Sequence, residues 1–248
     1  MEPSRIRIGC AGWTLPAEFQ ARFPAGDSHL RRYAQVFAAS EINSSFHRPH
    51  RPSTYARWAA SVSPGFAFSV KLPKAITHVA RLARPEAALD AFFAEARALG
   101  PSLHCLLVQL PPSLAFDAAV ATAFAAALQE RHAGAIALEP RHASWFSPEV
   151  DAWLAGRRVA RVLADPVRHD AGRVPGGWPG LVYLRLHGSP RVYYSSYDDE
   201  VLQALALRIR ETADQGAEVW CIFDNTAGQA AAGNALALQR LLDQTKGG

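Results

Sequence analysis

The chain has 248 residues, 49% of them hydrophobic, enough for two small domains or one large one with a sizeable buried core. No run reaches the ~18 consecutive apolar residues of a membrane span, and Met1-Glu2-Pro3-Ser4-Arg5 leads into strand-like residues rather than a leader's apolar stretch, so an unexported, cytoplasmic protein is expected. The net charge of +4 comes from scattered arginines without a block of like charge; it permits an anionic substrate or weak nucleic-acid affinity and demands neither.

Arg5 to Cys10 alternates and ends in the glycine turn Ala11-Gly12-Trp13, which predicts a first strand; its GxxG spacing is no phosphate-loop or dinucleotide fingerprint. Ser28 caps a helix over His29 to Ala38, a short strand follows over 40–43, and Ser53-Thr54 starts a helix through Ser61. A third strand is predicted over 66–71, with Ala67, Ser69 and Lys71 on one face, then a helix from Arg84-Pro85-Glu86 to about Leu99. Strand four (104–109) stops at Pro111-Pro112, and an alanine-rich helix runs from Asp117 to about His132. Strand five (135–139) ends in Glu139, a helix is capped near Ser147-Pro148, and strand six (159–164) is stopped by Asp165-Pro166. The Gly-, Pro- and Arg-rich segment 167–180 reads as a long active-site loop. Strand seven (181–187) sets Val182, Leu184 and Leu186 against Tyr183, Arg185 and His187. A helix to Asp214, strand eight (218–223) and a helix over 229–242 close the chain.

Eight strands nearly all separated by helices predict a single-domain α/β fold, a TIM-type (β/α)8 barrel over residues 1–248, ahead of a doubly wound sheet that has no glycine fingerprint to support it. Cys10, Cys105 and Cys221 are far apart in apolar runs and read as buried reduced thiols.

Barrel enzymes gather their chemistry at the carboxyl ends of the strands. Small residues suit the crowded interior, so those preceding Lys71 and Glu139 turn these two inward, and the same alternation turns Arg185 and His187 inward. Lys71, Glu139 and His187 are therefore the candidate catalytic residues: a carboxylate among cations is a general base or hydroxyl acceptor, a lysine crowded by Arg185 suits base or imine chemistry, and histidine shuttles protons near neutrality. Trp13, Asn43, Gln109, Arg141, His142, Trp145, Arg185 and Asn225 are the candidate substrate-binding residues. The competing explanation is a buried structural ion network of Lys71 with Glu139, and of Arg185 with Glu41 or Asp165. Glu139, His142, Asp165, His187 and Asp224 could supply divalent-metal ligands, but no HxH or HExxH signature favours a metal, and the cofactor is left unassigned. Trp13, Phe46, Trp145, Tyr193, Tyr194 and Tyr197 all fall in rim loops, where they could stack on a sugar or base.

The segments GCAGW, EINSSFHRP, FSVKLPKAITH, LLVQLPP, LEPRHASWF, YLRLHG and FDNTAGQAAAGNALALQRLL follow one another in the order of the YecE-like family, domain of unknown function 72, which the chain resembles over nearly its whole length. The resemblance implies a single TIM-type barrel of unestablished activity. It carries over Trp13, Glu41, Asn43, Lys71, Thr77, His78, Gln109, Glu139, Arg141, His142, Trp145, Arg185, His187, Gly188 and Asn225, with departures at Asp224, often asparagine, and His47, often tyrosine.

Three functions stand open on these grounds. The first is an enzyme, of hydrolase, lyase or isomerase type, doing acid/base chemistry on a small polar, phosphorylated or sugar-like substrate in the barrel mouth. The others are a nucleic-acid binding or processing protein and a non-catalytic ligand-binding module. Oligomeric state is not readable from the chain.

Overall fold

Where apolar residues alternate, the chain forms strands that pair in parallel around a nearly closed barrel, and a computed structural model describes residues 5–244 of it. In chain order the elements are β1 (Ile6–Ala11), α1 (His29–Tyr33), β2 (Ala39–Ile42), α2 (Pro52–Ala60), β3 (Ala67–Lys71), α3 (Glu86–Ala96), β4 (Leu103–Gln109), α4 (Ala118–Gln129) and β5 (Ala135–Glu139). They continue with α5 (Pro148–Gly156), β6 (Val159–Arg161), β7 (Leu163–Asp165), β8 (Gly176–Gly177), β9 (Leu181–Leu186), α6 (Asp199–Asp214), β10 (Glu218–Phe223) and α7 (Ala231–Gln244). The caps explain several boundaries: the side chains of Ser28, Asp117, Ser147 and Asp198 accept from backbone N–H groups in the first turns of α1, α4, α5 and α6.

The expected α/β barrel is thus the fold, with three differences. Strand six is broken at Val162: β6 pairs with β5, β7 pairs with β9, and Val162 N–H donates to Leu138 O at 2.9 Å. That one run of chain closes the ring, because its two halves face different neighbours. The sheet is also mixed, since β8 pairs antiparallel with β6, where Gly177 takes φ +69 and a Cβ would meet Val159 O at 2.5 Å. Finally α1 ends at Tyr33 rather than Ala38. The Tyr33 hydroxyl accepts from Cys10 N–H at 2.7 Å and donates to Ala39 O at 3.0 Å, which draws the chain back to the sheet.

The core has two parts. Between sheet and helices lie Phe68, Val70, Ile136, Leu138, Leu184 and Leu186 with the apolar helix faces. Inside the barrel, Ala39, Ala67, Cys105, Ala137, Tyr183 and Trp220 form the middle layer, with Tyr183 stacked on Trp220 at 5.8 Å. Below it Arg7 Nε donates to Glu218 Oε1 at 2.7 Å. The layer above is charged. All three cysteines are free and buried, and burial pushes their thiols up. No helix among the described residues is long and apolar enough to cross a membrane.

Candidate functional site

The charged layer is built by inward positions at the carboxyl ends of β2, β3, β5, β9 and β10. Arg185 is its centre, 0% exposed. Its Nε and Nη2 donate to Glu41 Oε2 and Oε1 at 3.0 and 2.7 Å. Nη1 donates to Glu139 Oε2 at 2.6 Å, and Nη2 also donates to Asp224 Oδ2 at 2.8 Å. The remaining Nη1 proton meets His187 Nε2 at 3.0 Å. All five guanidinium donors are therefore engaged.

That geometry decides the state of His187. Arginine has no acceptor, so Nε2 must accept, and Nδ1 donates to Asp165 O at 3.0 Å; the ring is neutral. Burial, then the positive charge of Arg185, pushes its pKa down in agreement. Glu139 is equally committed. Its Oε1 accepts from Arg141 Nε and Nη2 at 2.9 and 2.8 Å while Oε2 serves Arg185. Burial alone would raise this carboxyl, but Arg185 and Arg141 outweigh it and hold the pKa down at about 2. Glu41 also accepts from Tyr183 Oη at 2.8 Å. Asp224 is raised, because burial exceeds the attraction of Arg185.

Lys71 is different. It is 8% exposed, and among the described residues no carboxylate forms an ion pair with it; its Nζ lies 4.2 Å from the centroid of the Phe46 ring. Burial, then Arg185, lowers its pKa from 10.5 to about 8, with Glu41, Glu139 and Asp224 opposing. His78 packs against Phe46 at 5.0 Å, and its own pKa is lowered by burial and then by both Lys71 and Arg141.

Beside this cluster the rim holds a cavity of about 200 Å³, lined by Glu139, Arg141, Phe146, Arg168, His187 and Tyr193 among others. The loops after β7 and β9 close two of its sides. Tyr197 pins their base by donating from its hydroxyl to Asp165 Oδ2 at 2.6 Å and accepting from Gly188 N–H at 2.8 Å.

Of the residues expected at the site, the fold brings Glu139, Arg141, Arg185 and His187 into one hydrogen-bonded group with Lys71 next to it. Gln109 ends β4 in register with Glu139 and is buried. Asn43 is half-buried just beyond β2, with Oδ1 unpartnered. Asn225 Nδ2 donates to Ser195 O at 2.9 Å and Asn234 Oδ1 at 2.8 Å, tying the loop after β9 to α7. Three make their contacts outside that group. Trp13 packs against Trp58 and Phe68, Trp145 is buried with its indole N–H donating to Leu114 O at 2.9 Å, and His142 Nδ1 accepts from Ser144 N–H at 3.2 Å. Glu41, expected as a structural partner and from the family resemblance, and Asp224, expected as a possible metal ligand, are members of the cluster. Arg168 on the cavity was not expected. The signal for Glu41 was present: Ala39 precedes it by two on the same inward face, as small residues precede Lys71 and Glu139. Among the described residues, no three His, Cys, Asp or Glu side chains are grouped to hold a metal ion.

A single-domain TIM-like barrel with an arginine-centred ion cluster at its C-terminal rim is the class of protein these features define. The chain belongs to the DUF72 family of proteins of unknown function, whose model matches residues 7–248. It is similar to the UPF0759 protein YunF of Bacillus subtilis (strain 168), 25% identical and covering 96% of this chain and 95% of that one. A DUF72 family protein from Enterococcus faecalis V583 matches with a TM-score of 0.80 at 22% identity, covering 96% of this chain and 95% of the other. Another from Thermotoga maritima MSB8 matches at 0.74 and 23%, covering 96% and 99%. At these identities the solved structures show the fold alone.

Proposed function

We propose that the rim is an enzyme site performing acid/base chemistry on a small polar compound, phosphorylated or sugar-like, with Lys71 as the group that exchanges a proton. The observation that carries this reading is Lys71 itself, a buried amine that has no ion-pair partner among the described residues and lies beside a cluster whose central arginine is saturated. A purely structural network has no use for such a residue, because an unpaired buried charge costs stability. A pKa near 8 puts the amine close to working pH, where a proton-transfer group is most effective.

The neighbours suit supporting roles. Glu139, with both oxygens taken and its pKa near 2, is a poor base; it positions Arg141 and Arg185. His187 is held neutral at the cavity edge. Arg141 and Arg168 suit a phosphate or carboxylate, and Phe146 and Tyr193 the face of a sugar ring. The cavity's 200 Å³ falls below the ~300 Å³ of ordinary ligand pockets, which favours a small compound.

The test is a panel of phosphorylated sugars and sugar acids, screened by thermal shift and by solvent-deuterium incorporation into the ligand. At least one is expected to stabilise the wild type and to exchange a proton, with exchange lost in Lys71→Met and stabilisation lost in Arg141→Ala. The reading is overturned if the panel stabilises Arg141→Ala as well as the wild type, or if exchange persists without Lys71.

A further inference from the structure

Of the 26 basic residues only Lys71, Lys74 and Lys246 are lysines; every other basic position is arginine. In a chain that uses arginine almost everywhere, the buried cation at the end of β3 is of the one type able to lose its proton and attack an electrophile. Arg185 next to it shows what this site does with a cation that is to stay charged: it supplies three carboxylates. Lys71 receives none of them in direct contact and rests on an aromatic face instead.

We propose that Lys71 Nζ is a nucleophile that forms an imine with the carbonyl of a small aldehyde or ketone bearing an anionic group. This rests on the rim being the active site and names its substrate class. The free amine attacks the carbonyl carbon, so a C–N bond forms and the oxygen takes a proton. The carbinolamine then loses that oxygen as water and the nitrogen loses a proton, leaving amine plus carbonyl as imine plus water, with no oxidant or reductant. The protonated imine draws electrons from the adjacent carbon, which is what makes a proton there removable.

The surroundings fit each step. With a pKa of about 8, roughly a tenth of the amine is free at pH 7. Asp224, which stands in the same charged layer with its Oδ2 on Arg185 Nη2 at 2.8 Å and its carboxyl raised by burial, is assigned to carry the proton that the departing oxygen takes. Arg141 spends Nε and Nη2 on Glu139 and leaves Nη1 for an anion.

The experiment is reductive trapping on the full chain. Protein is incubated with cyanoborohydride and glycolaldehyde phosphate, pyruvate or neutral propanal, and adducts are mapped by peptide mass spectrometry. With only three lysines and the amino terminus to compete, the map is unambiguous. The expected result is an adduct on the Lys71 peptide with an anionic probe, in preference to exposed Lys74, weaker with propanal, weaker in Arg141→Gln and absent in Lys71→Arg. No adduct on Lys71 with either anionic probe, or equal labelling of Lys74, overturns the proposal, and mapping on wild type decides this even if a variant misfolds. Glycerol phosphate, which has no carbonyl, separates the two claims. If it stabilises the protein in an Arg141-dependent way while Lys71 goes untrapped, the imine fails and the acid/base reading stands. If it neither stabilises nor is any Lys71 adduct found, both fail.

Discussion

Arg185 and Lys71 are both buried cations, yet their removal is expected to have opposite effects. Arg185→Met leaves Glu41, Glu139 and Asp224 buried without their shared partner, and a loss of about 3–5 kcal/mol is expected in urea unfolding. Lys71→Met removes a charge that the fold disfavours. The folded pKa of about 8 lies below the unfolded 10.5, so between these values the unfolded chain binds more protons and stability rises with pH. The penalty is full below pH 8 and vanishes by about 10.5; it is on the order of 3 kcal/mol at most. Lys71→Met is therefore expected to be at least as stable as wild type at pH 7, with the gap closing as pH rises through that window. A large loss at pH 7 would mean that the amine is a structural tie. Lys71 was legible from the small Ser69 two places before it and Arg185 from the alternation of its strand, and Glu41, two places after Ala39, carries the same mark as Lys71. Trp13 and Trp145 were not: an aromatic in a rim loop can turn over the mouth or under a helix, and no local pattern separates the two.

At the level of elements, the strands set the charged layer and the loops after β7 and β9 shape the cavity. Gly188 is the hinge between the two. It takes φ +91, and a Cβ there would lie 2.7 Å from Ser195 O and 3.2 Å from Asn225 Cβ. Gly188→Ala is expected to cost about 1–3 kcal/mol and to raise hydrogen exchange over residues 189–197 while β9 stays protected. Unchanged exchange there would show that the loop does not depend on this turn. Seven helices and the strand order were readable because apolar periodicity is a property of short windows. The break at Val162 was not, because 159–164 reads as one continuous, mostly apolar run and only its two different neighbours, β5 and β9, divide it.

Over the whole molecule, part of the positive charge is paired within the fold. Arg7, Arg131, Arg161 and Arg185 each pair with an acid, at opposite ends of the barrel and on its flank. Retention on duplex DNA or RNA is accordingly expected to be lost by about 0.15 M salt, with a slope of no more than one or two phosphate contacts. A slope of about six or more would favour a nucleic-acid role over a small-molecule site. By itself the sequence determined the succession of strands and helices and which strand residues face the barrel interior, since periods of two and 3.6 are local. Only the tertiary structure decided which inward charges pair. Arg185 could as well have been offered to Asp165 as to Glu41, and Lys71 to Glu139. The outcome joins Arg185 to residues 46 and 144 positions away, so it depends on barrel closure bringing β2, β5 and β9 around one point. Closure set Glu41, Glu139 and Asp224 against Arg185 and, among the described residues, left Lys71 without an ion pair.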